Sequence, residues 1–358
     1  MNNYCNAILK YLGSLIKFAF LRGLRRILPF TIVFGCLCVP HMASANCLDS
    51  KRLTGVNLSG AEFAGETLPG VLFHDYVYPV IDDMRHFQAQ GLNVFRLPFL
   101  WERIQPTLFG ELDPVELKNI MDTAANARLL GVCIILDLHN YGAYRGQPIG
   151  SGAVPHTALI NLWTRLLPHF MDPANVAFDL MNEPSNLSTA EWAVTAQETV
   201  TAIRLGGAKN LILVPGGSWS GAHSWFLKDA GVSNSEAFRT FHDPANNYLI
   251  ETHQYADADY SGTHNTCIDP ALLSTVMSKL TEWAIATGQR LFLGEVGVQP
   301  NAPCLQALAA IVNGTKNTAA WGGWTYWSAG QWLGDYPFSL QADLNGEKPQ
   351  MAILKLAM

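Results

Sequence analysis

Short apolar runs recur along the chain, separated by longer segments in which apolar and polar residues alternate with helical spacing. The runs are almost continuously hydrophobic, which is typical of parallel strands that are covered on both faces. Eight of these runs are predicted to be strands: 53–60, 93–99, 133–139, 176–183, 210–217, 248–255, 290–297 and 321–330. The segments between them have helix signals, since 113–131 and 269–288 each begin with Asp-Pro and end with Gly.

This alternation predicts an α/β fold, a single (β/α)8 TIM barrel. Residues 46–358 contain no Pro/Ser-rich linker, so we expect one domain over this whole range. The fifth crossover, residues 218–247, lacks a helical pattern and is rich in Gly, Ser, Asn and Trp. It is predicted to be a loop over the face where the strands end.

Residues 1–45 differ from the rest and are predicted to be a secretory signal peptide. Basic residues precede the apolar stretch ILPFTIVFGCLCVP, and HMASA ends the segment before Asn46. The protein is therefore expected to be secreted and extracellular, although VFGC at 33–36 leaves a lipid anchor as an alternative. No later run reaches the ~20 apolar residues of a membrane span, so we expect no membrane association after the leader is removed.

The composition is that of a compact globular domain, with 49% apolar and 15% charged residues among 358. The net charge is −6, and no cluster of Lys and Arg occurs beyond the leader. Because nucleic-acid binding needs such a cluster, nucleic acid is not expected to be a partner. A neutral substrate fits this charge balance better.

Four cysteines follow the leader: Cys47, Cys133, Cys267 and Cys304. Cys133 opens an apolar run and is predicted to be a buried, unpaired core thiol. Cys267 and Cys304 lie in loop-like sequence and are able to pair in an oxidising compartment, but four cysteines permit three complete pairings. No Cys-x-x-Cys or His/Cys cluster is present, so structural zinc is not predicted, and we expect no other metal or cofactor.

Polar and aromatic residues recur where the predicted strands end, which is where a barrel of this kind carries its chemistry. They are Arg96, His139, Asn140, Asn182, Glu183, His253, Tyr255, Glu295 and Trp327. Each has a structural explanation when taken singly, such as an ion pair, a satisfied core histidine or a helix cap. A barrel held together by its core needs none of them at this end, so the set predicts a functional site.

Two of these residues, Glu183 and Glu295, are carboxylates from the fourth and seventh strands that would face each other across the barrel mouth. Glycosidic bond cleavage requires such a pair, with one acid protonated at the leaving oxygen and one ionised group at the anomeric carbon. Retaining enzymes hold the two carboxyl groups roughly 5–5.5 Å apart. Four neighbours would fix the charge and orientation of the pair or hold the substrate 2-hydroxyl: Arg96, Asn182, His253 and Tyr255.

Six stretches in chain order cover residues 53 to about 342: RLPFLWERIQP, LDLHNYGAYRG, FDLMNEPSN, HQYADADYSGTHNTC, FLGEVG and GGWTYWSAGQWLGDYPFSL. With this set the chain resembles glycoside hydrolase family 5, the retaining cellulase family. The fourth and sixth stretches are similar to those of fungal-type endo-β-1,4-glucanases. One departure is Tyr326, at a position where some relatives carry Trp.

The resemblance implies a secreted endo-β-1,4-glucanase that hydrolyses internal bonds of cellulose or related β-glucans by double displacement. It implies that Glu183 is the general acid/base and Glu295 the nucleophile, and that Cys267 pairs with Cys304. The subsite of bond cleavage would be lined by Arg96, His139, Asn182, His253, Tyr255 and Trp327. We expect a monomer.

Three loop tryptophans, Trp219, Trp225 and Trp332, are predicted to stack on sugar rings, with ordinary packing as the alternative for each. Loop residues decide between cellulose and mannan, xyloglucan, lichenan or xylan, so these substrates remain alternatives. A non-catalytic carbohydrate-binding barrel is a further alternative, but it would be expected to have lost a carboxylate. A metallohydrolase is disfavoured because no His-x-His pair is present.

Overall fold

In a computed structural model, the eight predicted strands close into one barrel whose neighbouring strands are all parallel. The structure describes residues 47–48, 52–344 and 346–358, which lie in one compact unit; the predicted leader lies outside the described residues. The strands are β1 (Leu53–Leu58), β2 (Val94–Phe99), β3 (Cys133–Leu138), β4 (Val176–Asp179), β5 (Ile212–Pro215), β6 (Tyr248–His253), β7 (Leu291–Glu295) and β8 (Trp321–Ala329). Strand order around the barrel follows chain order, and β1 pairs with β8 to close it. The predicted (β/α)8 fold is confirmed.

At least one helix follows each strand, and local sequence explains where the helices begin and end. The main helices are α1 (Ile81–Ala89), α2 (Pro114–Leu130), α3 (His156–Leu166), α4 (Thr189–Leu205), α5 (Asn234–Ala237), α6 (Pro270–Thr287), α7 (Ala302–Gly314) and α8 (Pro349–Lys355), and a further four-residue helix, Trp101–Ile104, lies between β2 and α2. At the start of α2, the Asp113 side chain accepts hydrogen bonds from the first-turn amides, and Pro114 has no amide hydrogen to satisfy. Gly131 ends α2 in the left-handed conformation, with φ of 67°.

The barrel interior has an apolar floor and a polar upper layer. The floor lies at the beginnings of the strands and includes Leu53, Val94, Cys133 and Ile135. Because successive side chains of a strand point to opposite faces, the next inward position after Ile135 is Asp137. This places buried polar groups directly beneath the ends of the strands, where the site is expected.

Two disulfide bonds connect the four cysteines that follow the leader. The bond between Cys267 and Cys304 confirms the pairing that the family resemblance implied. The prediction of an unpaired core thiol at Cys133 is wrong, because this residue pairs with Cys47. Cys133 is the first residue of β3 and faces the barrel floor, where Cys47 covers it from below.

The fifth crossover is irregular, as predicted. It contains a 3-10 turn at Ser218–Ser220, a two-stranded hairpin that pairs Lys228–Asp229 with Val232–Ser233, and the single-turn helix α5. Within the described part of the chain, no helix combines the length and the hydropathy needed for a bilayer crossing.

Candidate active site

The structure brings Glu183 and Glu295 together at the mouth of the barrel. Glu295 is the last residue of β7, and Glu183 follows β4 by four residues. One carboxylate oxygen from each residue and one ring nitrogen of His253 all lie within 4.8 Å of one another. This spacing is too short for the ~6.5–9.5 Å arrangement that holds a water between two carboxyl groups. It suits direct attack by one carboxylate while the other transfers a proton.

Glu183 extends from a constrained piece of backbone into the open part of the site. Its φ is 42°, a left-handed conformation that is uncommon for a residue with a side chain. The side chain is 17% exposed, and its Oε1 accepts a 2.8 Å hydrogen bond from His253 Nδ1. Glu183 is therefore held by one partner and still reaches the cleft.

Glu295 is more deeply enclosed than Glu183, with its side chain 5% exposed. Its Oε2 accepts a 2.6 Å hydrogen bond from Tyr255 Oη, and its Oε1 accepts one of 3.1 Å from Arg96 Nη1. Burial raises the pKa of Glu295 above its ordinary value; the nearby Glu183 adds to this, while the charges of His253 and Arg96 oppose it. Two donors thus orient a carboxylate that still titrates above an exposed glutamate.

Arg96, in β2, lies beneath the pair and has no exposed surface. Besides Glu295, it forms ion pairs with three buried carboxylates: Asp137 at 3.0 Å, Asp179 at 2.7 Å and Glu251 at 3.4 Å. Burial alone would lower the pKa of this guanidinium, but the four carboxylates raise it well above its ordinary value. Arg96 is a permanent buried cation.

Two buried histidines face carboxylates in the site. His253 contacts Glu183 through Nδ1 and Glu251 through Nε2, at 2.8 and 3.4 Å. His139 Nδ1 lies 2.7 Å from Asp137 Oδ2, and its ring stacks on Trp327 with 5.4 Å between the ring centroids. Burial opposes protonation of both rings, but the adjacent carboxylates raise the pKa of each, that of His253 well above its ordinary value. The adjacent carboxylates thus favour the protonated form of both rings.

Asn182 is buried beside Glu183, and its amide is held on one side only. Its Oδ1 accepts a 2.9 Å hydrogen bond from Arg96 Nη2. Among the described residues its Nδ2 has no acceptor, and the amide group is therefore oriented with a free N–H donor. Such a donor fits the predicted contact with a substrate hydroxyl.

Three adjoining cavities form a groove across the barrel mouth. The central one, of about 370 Å³, is lined by Glu183, Glu295 and Trp327 among others. A cavity of about 420 Å³ shares Glu183 and Tyr255 with it, and a third of about 510 Å³ shares His139 and Trp327. The carboxylate pair thus lies in the middle of the groove, with space for a chain on both sides.

The three loop tryptophans have different positions. Trp219 is 56% exposed and lines the 420 Å³ cavity. Trp332 is 38% exposed on a 3-10 turn, Gln331–Leu333, but it lines none of the three cavities of the groove. The prediction for Trp225 is wrong, because this side chain has no exposed surface and packs 5.3 Å from Trp283.

The sequence interpretation missed the carboxylates beneath the site, Asp137, Asp179 and Glu251. Each lies inside an almost continuously hydrophobic run that predicts a covered strand. The signal was present, because Asp137 and Glu251 stand two residues before His139 and His253, on the same inward face of their strands. It also missed Tyr141, which lines two of the cavities and lies 3.2 Å from His139 Nε2.

Two groups of side chains in the described residues have metal-binding atoms close together: Glu183 with His253 and Glu295, and Asp257 with Asp259 and His264. In the first group, protein donors already occupy both oxygens of Glu295 and Oε1 of Glu183. In the second group, Asp257 accepts hydrogen bonds from the backbone amides of residues 262–264. Both arrangements are explained by hydrogen bonding within the protein.

Comparisons with known proteins agree with this geometry. The family described as cellulase (glycosyl hydrolase family 5) matches residues 54–331. Endo-beta-1,4-glucanase B of Emericella nidulans is 32% identical over 289 residues, which cover 80% of this chain and 85% of that protein. Endo-beta-1,4-glucanase B of Aspergillus niger is 32% identical over 312 residues, or 85% and 90% of the two chains.

Two solved structures are similar over most of the chain. The structure of XacCel5A in complex with cellopentaose has a TM-score of 0.83 and 47% identity, and covers 86% of this chain and 99% of that one. The Pseudomonas stutzeri endoglucanase Cel5A in complex with cellobiose has a TM-score of 0.79 and 31% identity, and covers 87% and 95%.

Proposed function

Since the chain belongs to the cellulases of glycosyl hydrolase family 5, we propose that it is a retaining endo-β-1,4-glucanase. The observation that carries the proposal is the carboxylate pair, with oxygens of Glu183 and Glu295 within 4.8 Å in the middle of a two-armed groove. A groove that continues on both sides of the reacting pair suits cleavage within a chain rather than at its end. The substrate class is supported by similar proteins that bind cellopentaose and cellobiose.

The reaction proceeds in two displacements. In the first, a Glu295 oxygen bonds to the anomeric carbon, the bond to the leaving chain breaks, and Glu183 transfers its proton to the leaving oxygen. In the second, Glu183 takes a proton from water while the water oxygen bonds to the anomeric carbon and Glu295 is released. Two inversions at one carbon give retention of configuration.

The neighbours of the pair have distinct tasks in this reaction. Arg96 and Tyr255 orient Glu295 for attack, and His253 orients Glu183 toward the leaving oxygen. Asn182 offers its free N–H donor to the sugar 2-hydroxyl, a contact that strengthens in the transition state. Trp327, stacked on His139, forms the platform under the reacting sugar.

Reducing-sugar release from carboxymethylcellulose, measured beside galactomannan, tests the substrate assignment. We expect release from carboxymethylcellulose at a rate at least about tenfold higher, a preference of about 1.4 kcal/mol in transition-state binding. A rapid loss of viscosity should accompany the first few cuts, because internal cleavage shortens chains quickly. Faster release from galactomannan would replace the glucanase assignment with a mannanase.

We further propose that the protein is secreted and acts as a monomer. The predicted leader at residues 1–45 and the two disulfide bonds support export to an oxidising compartment. Sedimentation of the purified protein tests the oligomeric state.

The acid limb of the pH profile should report Glu295. Glu295 must be ionised to attack, and burial raises its pKa, so kcat/KM should fall with decreasing pH at a midpoint above the ordinary glutamate value of about 4.3. Tyr255→Phe removes a hydrogen bond that favours the ionised form and should move this midpoint further up. A midpoint that stays fixed in the variant would contradict the assignment of this limb to Glu295.

Arg103 should control the shape of one arm of the groove. It is almost fully buried and donates hydrogen bonds to the carbonyls of Ala61, Phe63, Ala64 and Pro69, in the loop that walls the 510 Å³ cavity. A lysine cannot span these acceptors with one ammonium group. Arg103→Lys is therefore expected to raise KM for cellopentaose about tenfold, equivalent to about 1.4 kcal/mol, with a smaller effect on kcat. Arg85→Lys on the exposed side of α1 is the matched control; equal KM values in the two variants would refute the role.

A further inference from the structure

Beneath the reacting pair, four strands place charged side chains inside the barrel with no exposed surface. They are Arg96 in β2, Asp137 in β3, Asp179 in β4 and Glu251 in β6. Buried charges of this kind are strongly unfavourable unless they are paired and hydrogen-bonded. The proton count of this cluster therefore matters to the whole site.

Charge balance requires one more proton than an assignment in which Glu183 is the only protonated acid of the site. Before the first displacement Glu183 is protonated, and four ionisable acids contact Arg96: Asp137, Asp179, Glu251 and Glu295. Within the described residues, the groups facing them that can carry a positive charge are Arg96, His139 and His253. Even with both histidine rings protonated, four ionised acids would leave one negative charge without a counter-charge in a dry interior. One additional proton removes this excess.

The hydrogen-bond pattern places that proton between Asp179 and Glu251. Arg96 Nε faces both residues, at 2.7 Å from Asp179 Oδ2 and 3.4 Å from Glu251 Oε1. The second oxygen of each, Asp179 Oδ1 and Glu251 Oε2, is buried and accepts no hydrogen bond from a described N–H or O–H group. Because both acids contact the same Arg96 Nε, their carboxyl groups are neighbours. A proton held by one of them would supply the missing donor to the other.

Asp179 is the acid that holds the proton, because it faces fewer cations than Glu251. Asp179 pairs with Arg96 alone, whereas Glu251 Oε1 lies 3.4 Å from both Arg96 Nε and His253 Nε2. In agreement with this, burial and the charge of Glu251 raise the pKa of Asp179 well above its ordinary value. Asp137 also has an unpartnered Oδ1, but its Oδ2 is close to two cations, Arg96 and His139. It therefore has a stronger reason to stay ionised.

A glycine in β7, Gly294, leaves space for the Glu251 carboxylate. A Cβ atom at Gly294, in β7, would lie 1.7 Å from Glu251 Oε1. No side chain fits there unless the Glu251 carboxylate moves away. Glycine at this position is thus matched to the location of Glu251 between Arg96 and His253.

We propose that Asp179 is a neutral acid that donates a hydrogen bond to Glu251, and that the pair acts as one negative charge that positions both reacting carboxylates. Through Arg96 Nε the pair holds the guanidinium whose Nη1 contacts Glu295. Through His253 Nε2 it holds the ring whose Nδ1 contacts Glu183. Asp179 and Glu251 are positioning residues, since each acts on the substrate only through Arg96 or His253. This role rests on the proposed function, whereas the protonation state does not.

Infrared difference spectroscopy tests the protonation state without any substrate. A protonated carboxyl group has a carbonyl stretch at a higher frequency than an ionised carboxylate. The spectrum of the native protein at neutral pH minus that of Asp179→Asn should contain one such band, and deuterium exchange should shift it. Absence of the band would overturn the proposal even if the enzyme proved active on β-glucan. Its presence in a protein inactive on all glycans would leave the buried pair intact and refute the proposed function instead.

Kinetics of a variant series test the positioning role. An asparagine amide can replace the neutral acid as donor to Glu251, so Asp179→Asn should lose about tenfold less kcat/KM than Asp179→Ala. Glu251→Gln removes the negative charge that faces His253, so it should lower kcat/KM about 100-fold or more. It should also lower the pKa of the His253 ring, because the remaining carboxylates facing that ring are Glu183 and Glu295. The alkaline limb along which this ring loses its proton, and with it the second donor that holds the site, should then move to lower pH. Thermal unfolding verifies that each variant folds.

The outcomes separate the proposal from a merely structural role. If Asp179 were ionised, Asp179→Asn would remove a charge that pairs with Arg96 at 2.7 Å and would be as damaging as Glu251→Gln. Equal losses in these two variants would therefore overturn the proposal. An alkaline limb that Glu251→Gln leaves in place would overturn the link to His253. Should Asp179→Ala fail to fold, the comparison of Asp179→Asn with Glu251→Gln still decides.

Discussion

Glu295→Gln is expected to abolish hydrolysis of every β-glucan substrate, with kcat lowered by at least about 10⁴-fold. Glutamine has nearly the same shape as glutamate, and its amide oxygen can still accept from Arg96. The site should therefore keep its architecture. Its amide has no anionic oxygen to bond to the anomeric carbon, so the first displacement cannot begin. The measurement is release of dinitrophenol from dinitrophenyl cellobioside, together with reducing sugar from carboxymethylcellulose.

The same loss on both substrates is the essential result. A good leaving group cannot compensate for a missing nucleophile, whereas it can compensate for a missing acid. The matched control is Glu198→Gln, an exposed glutamate on α4 that should retain native rates. Activity above about 1% of native in Glu295→Gln, with an unchanged melting temperature, would remove Glu295 from the role of nucleophile.

The fold was predictable because covered parallel strands have a simple signature. All eight apolar runs contain a barrel strand, and most bounds differ from the structure by one or two residues. The largest difference is in β4, predicted to extend to residue 183 but ending at Asp179. Beyond Asp179 the regular strand ends, although the amides of Leu180 and Asn182 still donate to carbonyls of the neighbouring strands, and the backbone turns at Glu183, where φ is 42°. The regular strand ends before the turn that brings Glu183 to the cleft, and hydrophobicity alone does not report such a turn.

The parts that sequence reasoning missed depend on distant partners. Cys133 pairs with Cys47, which lies 86 residues away at the edge of the predicted leader. Trp225 lies in a loop of polar composition, but the fold turns its ring inward against Trp283. Local sequence does not say which way a loop side chain faces. The buried acids were missed for another reason. Asp137 and Glu251 stand two positions before the histidines at the strand ends, so local sequence alone indicated that they face the barrel interior.

The predicted roles of Glu183 and Glu295 depend on how the buried acids beneath them hold Arg96 and His253. Arg96 contacts Glu295 and Asp179, and His253 contacts Glu183 and Glu251. The two reacting carboxylates are thus held by two cations, which are themselves held by a common pair of acids. A disturbance in that pair should affect both displacements, whereas loss of one reacting carboxylate should affect each in a different way.

Glu183→Ala should therefore separate substrates by their leaving groups. For cellulose the leaving alkoxide needs a proton, so loss of the acid should lower kcat/KM by about 10³–10⁴-fold. Dinitrophenolate leaves without protonation, so kcat/KM for dinitrophenyl cellobioside should fall by less than about tenfold. The second displacement should slow for both substrates, because no base activates water, and the glycosyl ester on Glu295 should accumulate as a burst of dinitrophenol followed by a slow phase.

Azide then tests the stereochemistry of the same variant. Azide is an anionic nucleophile that needs no base, and the space left by the missing carboxylate is beside the anomeric carbon, since oxygens of Glu183 and Glu295 lie within 4.8 Å. It should restore the slow phase and give the β-glycosyl azide, because the anomeric carbon is inverted once by Glu295 and once by azide. Glu198→Ala, treated in the same way, should show neither the burst nor the rescue. Equal losses of kcat/KM on the two substrates would show that Glu183 is not the proton donor, and an α-glycosyl azide would show that the reaction does not pass through an ester on Glu295.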